Sequence, residues 1–213
     1  MSQVVVIDYG MGNLKSVQRG LEVVGARVEV SSDTEKVATA DRLVLPGVGS
    51  FRDGMAGLQQ SKLDEAVVKF VSHERPLLGI CLGMQMLMEK SEEFGVHQGL
   101  GIIPGSVRPI PEKGPGENRR KIPHIGWSFL SPSESRSDWS ATALRQTRSD
   151  DYFYFVHSFM ALPTNSSHVI ATCDYHDQAV TAAIGMDNVI GLQFHPEKSG
   201  ACGLKIMQEF MNL

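Results

Sequence analysis

Cys81 is the residue of this chain best placed to act as a nucleophile. It lies at the centre of residues 79–85, which read GICLGMQ. The apolar run before it predicts a buried strand and residues 82–89 are good helix formers, so Cys81 falls on the turn between them. Such a sharp turn needs the glycines two residues on either side, and the start of a helix favours a thiolate. The sequence therefore predicts a nucleophile elbow; the alternative is an inert buried cysteine at a tightly packed turn.

A base for this thiolate could come from the C-terminal part of the chain. Residues 191–200, GLQFHPEKSG, place His195 and Glu197 directly after an apolar strand. Their side chains could both face the sheet edge that carries Cys81, and Pro196 stiffens the turn between them. We expect His195 to take the proton of Cys81 and pass it to a leaving group, while Glu197 holds the imidazole tautomer. Taken by themselves, the two residues also fit a solvated pair at a strand end.

A third run could stabilise the negative charge that develops on a substrate oxygen. Residues 46–49, PGVG, follow a strand predicted at 42–45, and glycines allow the backbone to turn its N–H groups towards an oxyanion. We expect the N–H groups of Val48 and Gly49 to act together with that of Leu82, the residue after the nucleophile. The alternative for PGVG is a plain type II turn.

The elements that must hold these residues alternate along the first half of the chain. Strand patterns lie at 4–7, 28–30, 42–45 and 77–80, and helical patterns lie at 14–24, 53–60, 63–72 and 82–89. This alternation is typical of βαβ units with a mostly parallel central sheet flanked by helices. From about Gly99 onward, shorter strand patterns predict an added antiparallel part. The fold class is therefore α/β, and residues 1–213 are expected to form one domain.

Composition limits the partners and cofactors. The 213 residues carry a net charge of −4 and are 42% hydrophobic, so no basic excess points to nucleic acid or to an anionic membrane. No stretch is long and apolar enough to span a bilayer and no basic leader precedes the first strand, so a cytoplasmic location is expected. The three cysteines should remain thiols there. Cysteines and histidines lack metal-ligand spacing, so neither a metal nor another cofactor is expected.

A loop that contains glycines follows the first predicted strand. Residues 8–14 read DYGMGNL, and Gly10 and Gly12 resemble part of a dinucleotide-binding fingerprint. That interpretation fails because Lys15 stands where the third glycine belongs and no acidic residue ends the second strand. A functional loop with a tight turn remains as the prediction.

Three of these runs resemble motifs of one family. PGVGSF at 46–51, GICLGMQ at 79–85 and GLQFHPEKSG at 191–200 resemble the class I glutamine amidotransferases. DYGMGNLKS at 8–16, KIPHIGW at 121–127 and YFVHS at 154–158 are similar to the members that serve imidazole glycerol phosphate synthases. The resemblance implies that L-glutamine is hydrolysed to glutamate and that ammonia is channelled to a (β/α)₈-barrel cyclase subunit in a heterodimer. That cyclase makes imidazole glycerol phosphate and aminoimidazole carboxamide ribotide in histidine biosynthesis.

The resemblance also implies roles for single residues. It places Cys81, His195 and Glu197 in the catalytic triad, and Gly47, Gln85, Glu93, His157 and Ser158 at the glutamine substrate. It places Asn13, Trp127, Tyr154 and Lys198 at the face that meets the cyclase. Without the resemblance, Gln85 and Glu93 would be an exposed polar helix face, Trp127 a core aromatic residue and Asn13 a helix N-cap.

Three residues depart from the usual pattern of this family. They are Ser128 after the Gly-Trp pair, and Phe159 and Met160 after YFVHS. They leave open a related glutaminase that feeds ammonia to a sugar-modifying synthetase. A cysteine hydrolase or peptidase on the same elbow is a second alternative. A non-catalytic regulatory subunit is a third, which the intact triad disfavours.

Overall fold

The computed structural model describes residues 3–113, 119–135 and 138–213. The helices are α1 (Leu14–Val23), α2 (Thr34–Thr39), α3 (Phe51–Gln60), α4 (Leu63–Val71), α5 (Leu82–Met86) and α6 (Gly200–Met211). The strands are β1 (Gln3–Ile7), β2 (Arg27–Ser31), β3 (Leu43–Gly47), β4 (Leu77–Cys81), β5 (Met88–Ser91), β6 (His97–Gln98), β7 (Ile103–Pro109), β8 (His124–Phe129), β9 (Ser131–Pro132), β10 (Tyr152–His157), β11 (Phe159–Pro163), β12 (Val169–Asp174), β13 (Ala179–Met186) and β14 (Val189–Leu192). Within the described ranges, no helix has the length and apolar character needed to cross a membrane.

An eight-stranded mixed sheet forms the centre of the fold, in the order β2-β1-β3-β4-β14-β13-β12-β9. Neighbouring strands are parallel from β2 to β14 and antiparallel from β14 to β9. The predicted α/β class, with a parallel sheet and an antiparallel part from the second half of the chain, is confirmed. In addition, β8 and β10 form a two-stranded sheet, and β11, β7, β5 and β6 form a four-stranded one.

Helices cover both faces of the parallel part of the sheet, which explains the uninterrupted apolar run at residues 4–7 of β1. Val4 and Val6 pack in the layer that contains α1 and α6, whereas Val5 and Ile7 pack in the layer of α2, α3 and α4. Successive side chains of a strand point to opposite faces, so a strand buried on both sides needs apolar residues throughout. Because parallel strands end at the same edge, β3, β4 and β14 deliver the residues that follow them to one place.

Helix α5 is shorter than the sequence predicts. The pattern at 82–89 favours a helix, but α5 ends at Met86 and the next residues form β5. The carbonyl groups of residues 86–89 accept hydrogen bonds from the N–H groups of residues 99–103 at 2.9–3.1 Å, so they are not available to continue the helix. Pairing with a distant segment therefore overrides local helix propensity here. The short elements α2 and β6 also lie outside the patterns predicted for the first half of the chain.

Candidate active site

Cys81 lies on a sharp turn at the carboxyl edge of the central sheet. β4 ends at Cys81, α5 begins at the next residue, and Cys81 has φ 54° and ψ −110°. A residue with a side chain rarely adopts such a backbone, which costs about 1–3 kcal/mol and is found at strained functional turns. The turn is also tight, because a Cβ added to Gly83 would lie 1.8 Å from the carbonyl oxygen of Leu45. This backbone places Cys81 in the wall of a cavity.

His195 and Glu197 form a buried pair at the same edge. β14, which precedes them, is parallel to β4, so both strands lead out of the sheet in the same direction. His195 Nδ1 lies 2.8 Å from Glu197 Oε1, and the two side chains are 2% and 1% exposed. Because a carboxylate can only accept, Nδ1 carries the proton and donates it to Glu197. His195 Nε2 is buried with no hydrogen-bond partner among the described residues, so it is available to accept the proton of Cys81.

The protonation of His195 depends on both neighbours. Burial lowers the pKa of His195, but its interactions with Cys81 and then with Glu197 outweigh burial and raise this pKa to about 9. The usual value is about 6.5, so the imidazolium form is favoured at neutral pH. The site therefore keeps a proton on His195 that can be given to a leaving group.

Two buried glutamines connect the Cys81 sulfur to the surrounding strands. The side-chain amide of Gln193 donates to Cys81 Sγ at 3.7 Å, and its oxygen accepts from Gln85 Nε2 at 2.9 Å. Gln85 Nε2 also donates to the carbonyl oxygen of Phe159 at 3.2 Å. The sequence predicts no role for Gln193. The signal that could have found it is its position two residues before His195, because such side chains share one face of an extended chain.

A cavity of about 350 Å³ lies in front of Cys81. Its lining residues come from the PGVG run, the elbow, β10 and the connections beside them: Val48, Gly49, Cys81, Leu82, Gln85, Glu93, Phe94, Pro123, Val156, His157, Ser158, Phe159 and His195. This volume is at the small end of the range for small-molecule sites and suits one amino acid. All three predicted oxyanion donors and four of the five predicted substrate residues line it. The fifth, Gly47, is buried at the end of β3, where it pairs with Cys81.

Glu93 supplies the carboxylate of the cavity wall. It lies in the turn after β5 rather than on a helix, and among the described lining residues it is the only acidic one. Its Oε2 accepts a hydrogen bond from the backbone N–H of Phe51 at 2.6 Å, which fixes the carboxylate. The neighbouring Phe94 is 90% exposed, and its ring centroid lies 6.4 Å from that of Phe159. The sequence predicts no role for Phe94, and nothing in its local pattern would have indicated one.

An exposed aromatic face lies on the two-stranded sheet of β8 and β10. Trp127 is opposite Tyr154, with ring centroids 5.7 Å apart, and Lys198 Nζ lies 5.7 Å from the centroid of the Tyr154 ring. Trp127 is 55% exposed, so it is not a core residue. Asn13 precedes α1, but its side chain does not cap that helix. Trp127, Tyr154 and Lys198 therefore share one surface, which we call the aromatic face.

Two buried histidines form a hydrogen-bonded chain beside the cavity. His157 Nδ1 donates to the carbonyl oxygen of Phe159 at 2.8 Å, so its Nε2 accepts from His124 Nδ1 at 3.0 Å. His124 Nε2 in turn accepts from the hydroxyl group of Ser128 at 3.1 Å. This pattern assigns both rings the neutral tautomer with the proton on Nδ1.

We expect these two histidines to make the native protein sensitive to acid. Burial lowers the pKa of His157 to about 3 and that of His124 to about 4. Between these values and about 6.5 the unfolded chain binds more protons than the native protein, so stability falls as the pH is lowered. The free energy of unfolding in urea, measured from pH 7.5 to pH 4.5, should fall by up to about 1.4 kcal/mol per pH unit for each histidine.

The variant His124→Asn tests whether His124 contributes to this acid sensitivity. The quantity compared is the slope of the free energy of unfolding against pH, rather than the stability at one pH. The free energy of unfolding of this variant should depend less steeply on pH below about 6.5. The matched control is His73→Asn, which changes an exposed histidine and should keep the native slope. An unchanged slope in His124→Asn would show that His124 does not contribute to the acid sensitivity.

The fold and this site together define a class of protein. Residues 5–212 match the family described as glutamine amidotransferase class-I, and the chain belongs to this family. The chain is 47% identical over 213 residues to imidazole glycerol phosphate synthase subunit HisH 1 of Legionella pneumophila (strain Lens), a match that covers 100% of both chains. It is 44% identical over 211 residues to imidazole glycerol phosphate synthase subunit HisH of Geobacter sulfurreducens, covering 99% of this chain and 98% of the relative. Within the class it belongs with these HisH subunits.

Solved structures of more distant proteins share the fold. A structure of PurLQS from Thermotoga maritima has a TM-score of 0.72 at 18% identity, over 99% of this chain and 98% of the other. A crystal structure of a glutamine amidotransferase from the same organism has a TM-score of 0.59 at 18% identity, over 92% of this chain and 76% of the other. At these identities the likeness supports the fold alone.

Proposed function

We propose that this chain is the glutaminase subunit of an imidazole glycerol phosphate synthase. It hydrolyses L-glutamine to glutamate and passes the ammonia to a cyclase subunit, which makes imidazole glycerol phosphate and aminoimidazole carboxamide ribotide in histidine biosynthesis. The observation that carries the proposal is the placement of Cys81, His195 and Glu197 at one sheet edge, beside a cavity that suits one amino acid. The full-length similarity to HisH subunits supports histidine biosynthesis as the pathway.

The reaction begins with attack of the Cys81 thiolate on the side-chain carbonyl carbon of glutamine. A C–S bond forms, and the C–N bond breaks as the His195 imidazolium gives its proton to the leaving nitrogen, which departs as ammonia. The N–H groups of Val48, Gly49 and Leu82 are the proposed donors to the oxyanion. His195 Nε2 then takes a proton from water, the oxygen of that water attacks the glutamyl thioester, and glutamate and the Cys81 thiolate are released.

Charge and hydrogen bonding orient the proposed substrate. Glutamine carries a cationic α-ammonium group, and the fixed carboxylate of Glu93 is the acidic group in the described cavity wall that can bind it. Gln85, His157 and Ser158 also line the cavity and are proposed to contact the rest of the substrate. Gly47 acts in this scheme by letting the backbone approach the elbow. No metal or other cofactor takes part in the proposed reaction.

The aromatic face is the proposed docking site for the cyclase. Ile125, Phe129 and Tyr152 extend it, being 59%, 44% and 46% exposed. A contiguous apolar surface of this kind is typical of a protein interface. Tyr154 also connects it to the catalytic base, because its carbonyl oxygen accepts from the backbone N–H of His195 at 2.9 Å. We propose that the cyclase is a (β/α)₈ barrel and that the two subunits form a heterodimer with Asn13 at its edge.

We also propose that the chain forms a single domain and that it lies in the cytoplasm. One sheet contains strands from both halves of the chain, β1 to β4 from the first half and β9 with β12 to β14 from the second, which supports a single domain over residues 1–213. The three cysteines are free thiols, as suits a reducing compartment. We therefore place the subunit in the cytoplasm, together with the pathway it serves.

The experiment that tests the function is co-purification from the source cells followed by a glutaminase assay. A cyclase of histidine biosynthesis should be recovered with the chain. Because ligands of the partner can shift the conformation of the site, glutamine hydrolysis should increase by about 5- to 150-fold when that cyclase and its ligand are added. Trp127→Ala should weaken the complex, whereas Val68→Ala, at an exposed apolar residue of α4, should not.

Other outcomes of this experiment would replace parts of the proposal. Recovery of a sugar-modifying synthetase would show that the ammonia serves a different acceptor. Full glutaminase activity of the isolated subunit would contradict activation by the partner. Absence of glutamine hydrolysis, with or without the cyclase, would overturn the glutaminase assignment itself.

A further inference from the structure

Tyr9 is a buried residue that the reaction above does not use. It follows β1 in the loop that leads to α1, and it is 5% exposed. Its hydroxyl group donates to the carbonyl oxygen of Pro46 at 2.7 Å. Pro46 lies in β3 directly before Gly47, Val48 and Gly49. The hydroxyl therefore holds the chain at the point where the proposed oxyanion loop, residues 47–49, begins.

The packing around this hydroxyl group leaves little free space. A Cβ added to Gly47 would lie 2.6 Å from the Tyr9 hydroxyl oxygen and 2.8 Å from Leu82 Cβ. Gly47 is also the residue that pairs with Cys81 between β3 and β4. The Tyr9 hydroxyl is thus packed against the loop at a point where the loop also meets the elbow.

The same segment contacts the far end of the loop. A Cβ added to Gly49 would lie 2.7 Å from Met11 Cε, and Gly49 has φ 104°. Residues 9–11 therefore support the loop at both ends, through Tyr9 at Pro46 and through Met11 at Gly49. The sequence predicts a functional loop with a tight turn for this segment, but no contact of Tyr9 or Met11 with residues 46–49.

The chemistry of Tyr9 suits a permanent donor. Burial and the neighbouring charge of Cys81 both raise the pKa of the Tyr9 hydroxyl group above its usual range. The phenol therefore keeps its proton at every pH at which the protein works. Its hydrogen bond to Pro46 persists while Cys81 cycles between thiolate and thioester.

We propose that Tyr9 is a positioning residue for the oxyanion loop. Its hydroxyl group fixes the Pro46–Gly47 peptide and with it the direction in which the N–H groups of Val48 and Gly49 point, relative to Cys81. Tyr9 does not touch the substrate. The inference rests on the proposed glutaminase function, because only a reaction with a developing oxyanion needs these N–H groups in place.

The test is Tyr9→Phe, which removes one hydroxyl group, studied in the complex with the cyclase. Misplacing catalytic groups by small distances lowers turnover, so kcat for glutamine should fall by about 10- to 100-fold while KM changes little. Alkylation of Cys81 by iodoacetamide should keep its rate, because displacement of iodide from carbon creates no oxyanion. A structural defect of the elbow would instead slow both reactions.

The matched control is Tyr175→Phe. Tyr175 also donates to a backbone carbonyl oxygen, that of Lys121 at 2.5 Å, but it lies outside the oxyanion loop. This variant should keep native kcat. If Tyr9→Phe does not fold, Met11→Ala provides the same test, because it loosens the other end of the loop. We expect a reduced kcat and an unchanged rate of Cys81 alkylation in this variant.

Native kcat in Tyr9→Phe, or in Met11→Ala when Tyr9→Phe does not fold, would overturn the inference and leave the glutaminase function intact. An equal loss of turnover and of alkylation would also overturn it, because Tyr9 would then act on the elbow as a whole. If the native complex itself fails to hydrolyse glutamine, the proposed function fails and the positioning role fails with it.

Discussion

Replacement of Cys81 with alanine is expected to lower glutamine hydrolysis by about 10⁴-fold or more. The thiolate is the group that forms the thioester, and alanine has no atom that can attack the carbonyl carbon. The backbone at φ 54° is no more strained with alanine than with cysteine, so the fold should persist. Release of glutamate by the complex, measured with glutamine as the nitrogen source, should be lost. Synthesis from added ammonium salts should remain, because ammonia then reaches the cyclase without the glutaminase step.

The control for this experiment is another cysteine of the same chain. Cys202 lies on α6, where its Sγ donates to Asp151 at 3.0 Å, away from the cavity. Cys202→Ala should keep glutaminase activity, and its Cys81 should be alkylated at the native rate. Glutaminase activity retained in Cys81→Ala would overturn the assignment of the nucleophile. Loss of the ammonia-dependent reaction as well would show that the variant had lost its partner rather than its chemistry.

The elbow could be predicted from the sequence because its constraints are local. The strand before Cys81 and the helix after it are encoded within a few residues, and a Cβ added to Gly79 would lie 2.9 Å from the backbone nitrogen of Met84, also a near neighbour in sequence. The alternating pattern of the first half likewise predicts the parallel sheet, since strands buried on both faces must be apolar throughout. The His195–Glu197 pair is also local, being two residues apart after a strand.

Contacts between distant segments could not be predicted in this way. Gln193 meets Gln85 across 108 positions of the chain, and no short pattern indicates that two amide side chains will be buried together. The end of α5 is set by hydrogen bonds from residues 99–103, so its local helix propensity is misleading. Tyr9 lies in a run that predicts a functional loop with a tight turn, but not the role of Tyr9, because its partner, the Pro46 carbonyl group, is a backbone group that any sequence would supply.

The substitution Glu197→Gln is expected to lower kcat for glutamine by about 10²- to 10⁴-fold at neutral pH. Glutamine keeps the shape of the side chain but carries no negative charge to stabilise the imidazolium. Its NH₂ group can also turn towards His195 Nδ1 and select the tautomer with the proton on Nε2, which cannot accept from Cys81. The turnover of the complex at saturating glutamine measures the effect. The exposed Glu65→Gln on α4 serves as the control and should keep native turnover.

The pH dependence separates this electrostatic role from a merely structural one. The pKa of His195 is raised to about 9, so native kcat should fall as the pH rises through that value and the leaving nitrogen loses its proton donor. Without the charge of Glu197 the pKa is lower, and the fall in kcat should move to lower pH. The free energy of unfolding should also fall as the pH rises, because between about pH 6.5 and 9 the native protein binds more protons than the unfolded chain. The contribution of His195 is therefore complete below about pH 6.5 and is lost as the pH rises through about 9.

The free energy of unfolding should consequently decline less steeply between pH 6.5 and 9 in Glu197→Gln than in the native protein. The side chains of His195 and Glu197 are 2% and 1% exposed, so solvent does little to screen the charge that the substitution removes. If the kcat of Glu197→Gln instead declines at the same pH as the kcat of the native protein, Cys81 alone raises the pKa of His195. Glu197 would then act only by holding the ring, and a reduced kcat with an unshifted profile would be its signature.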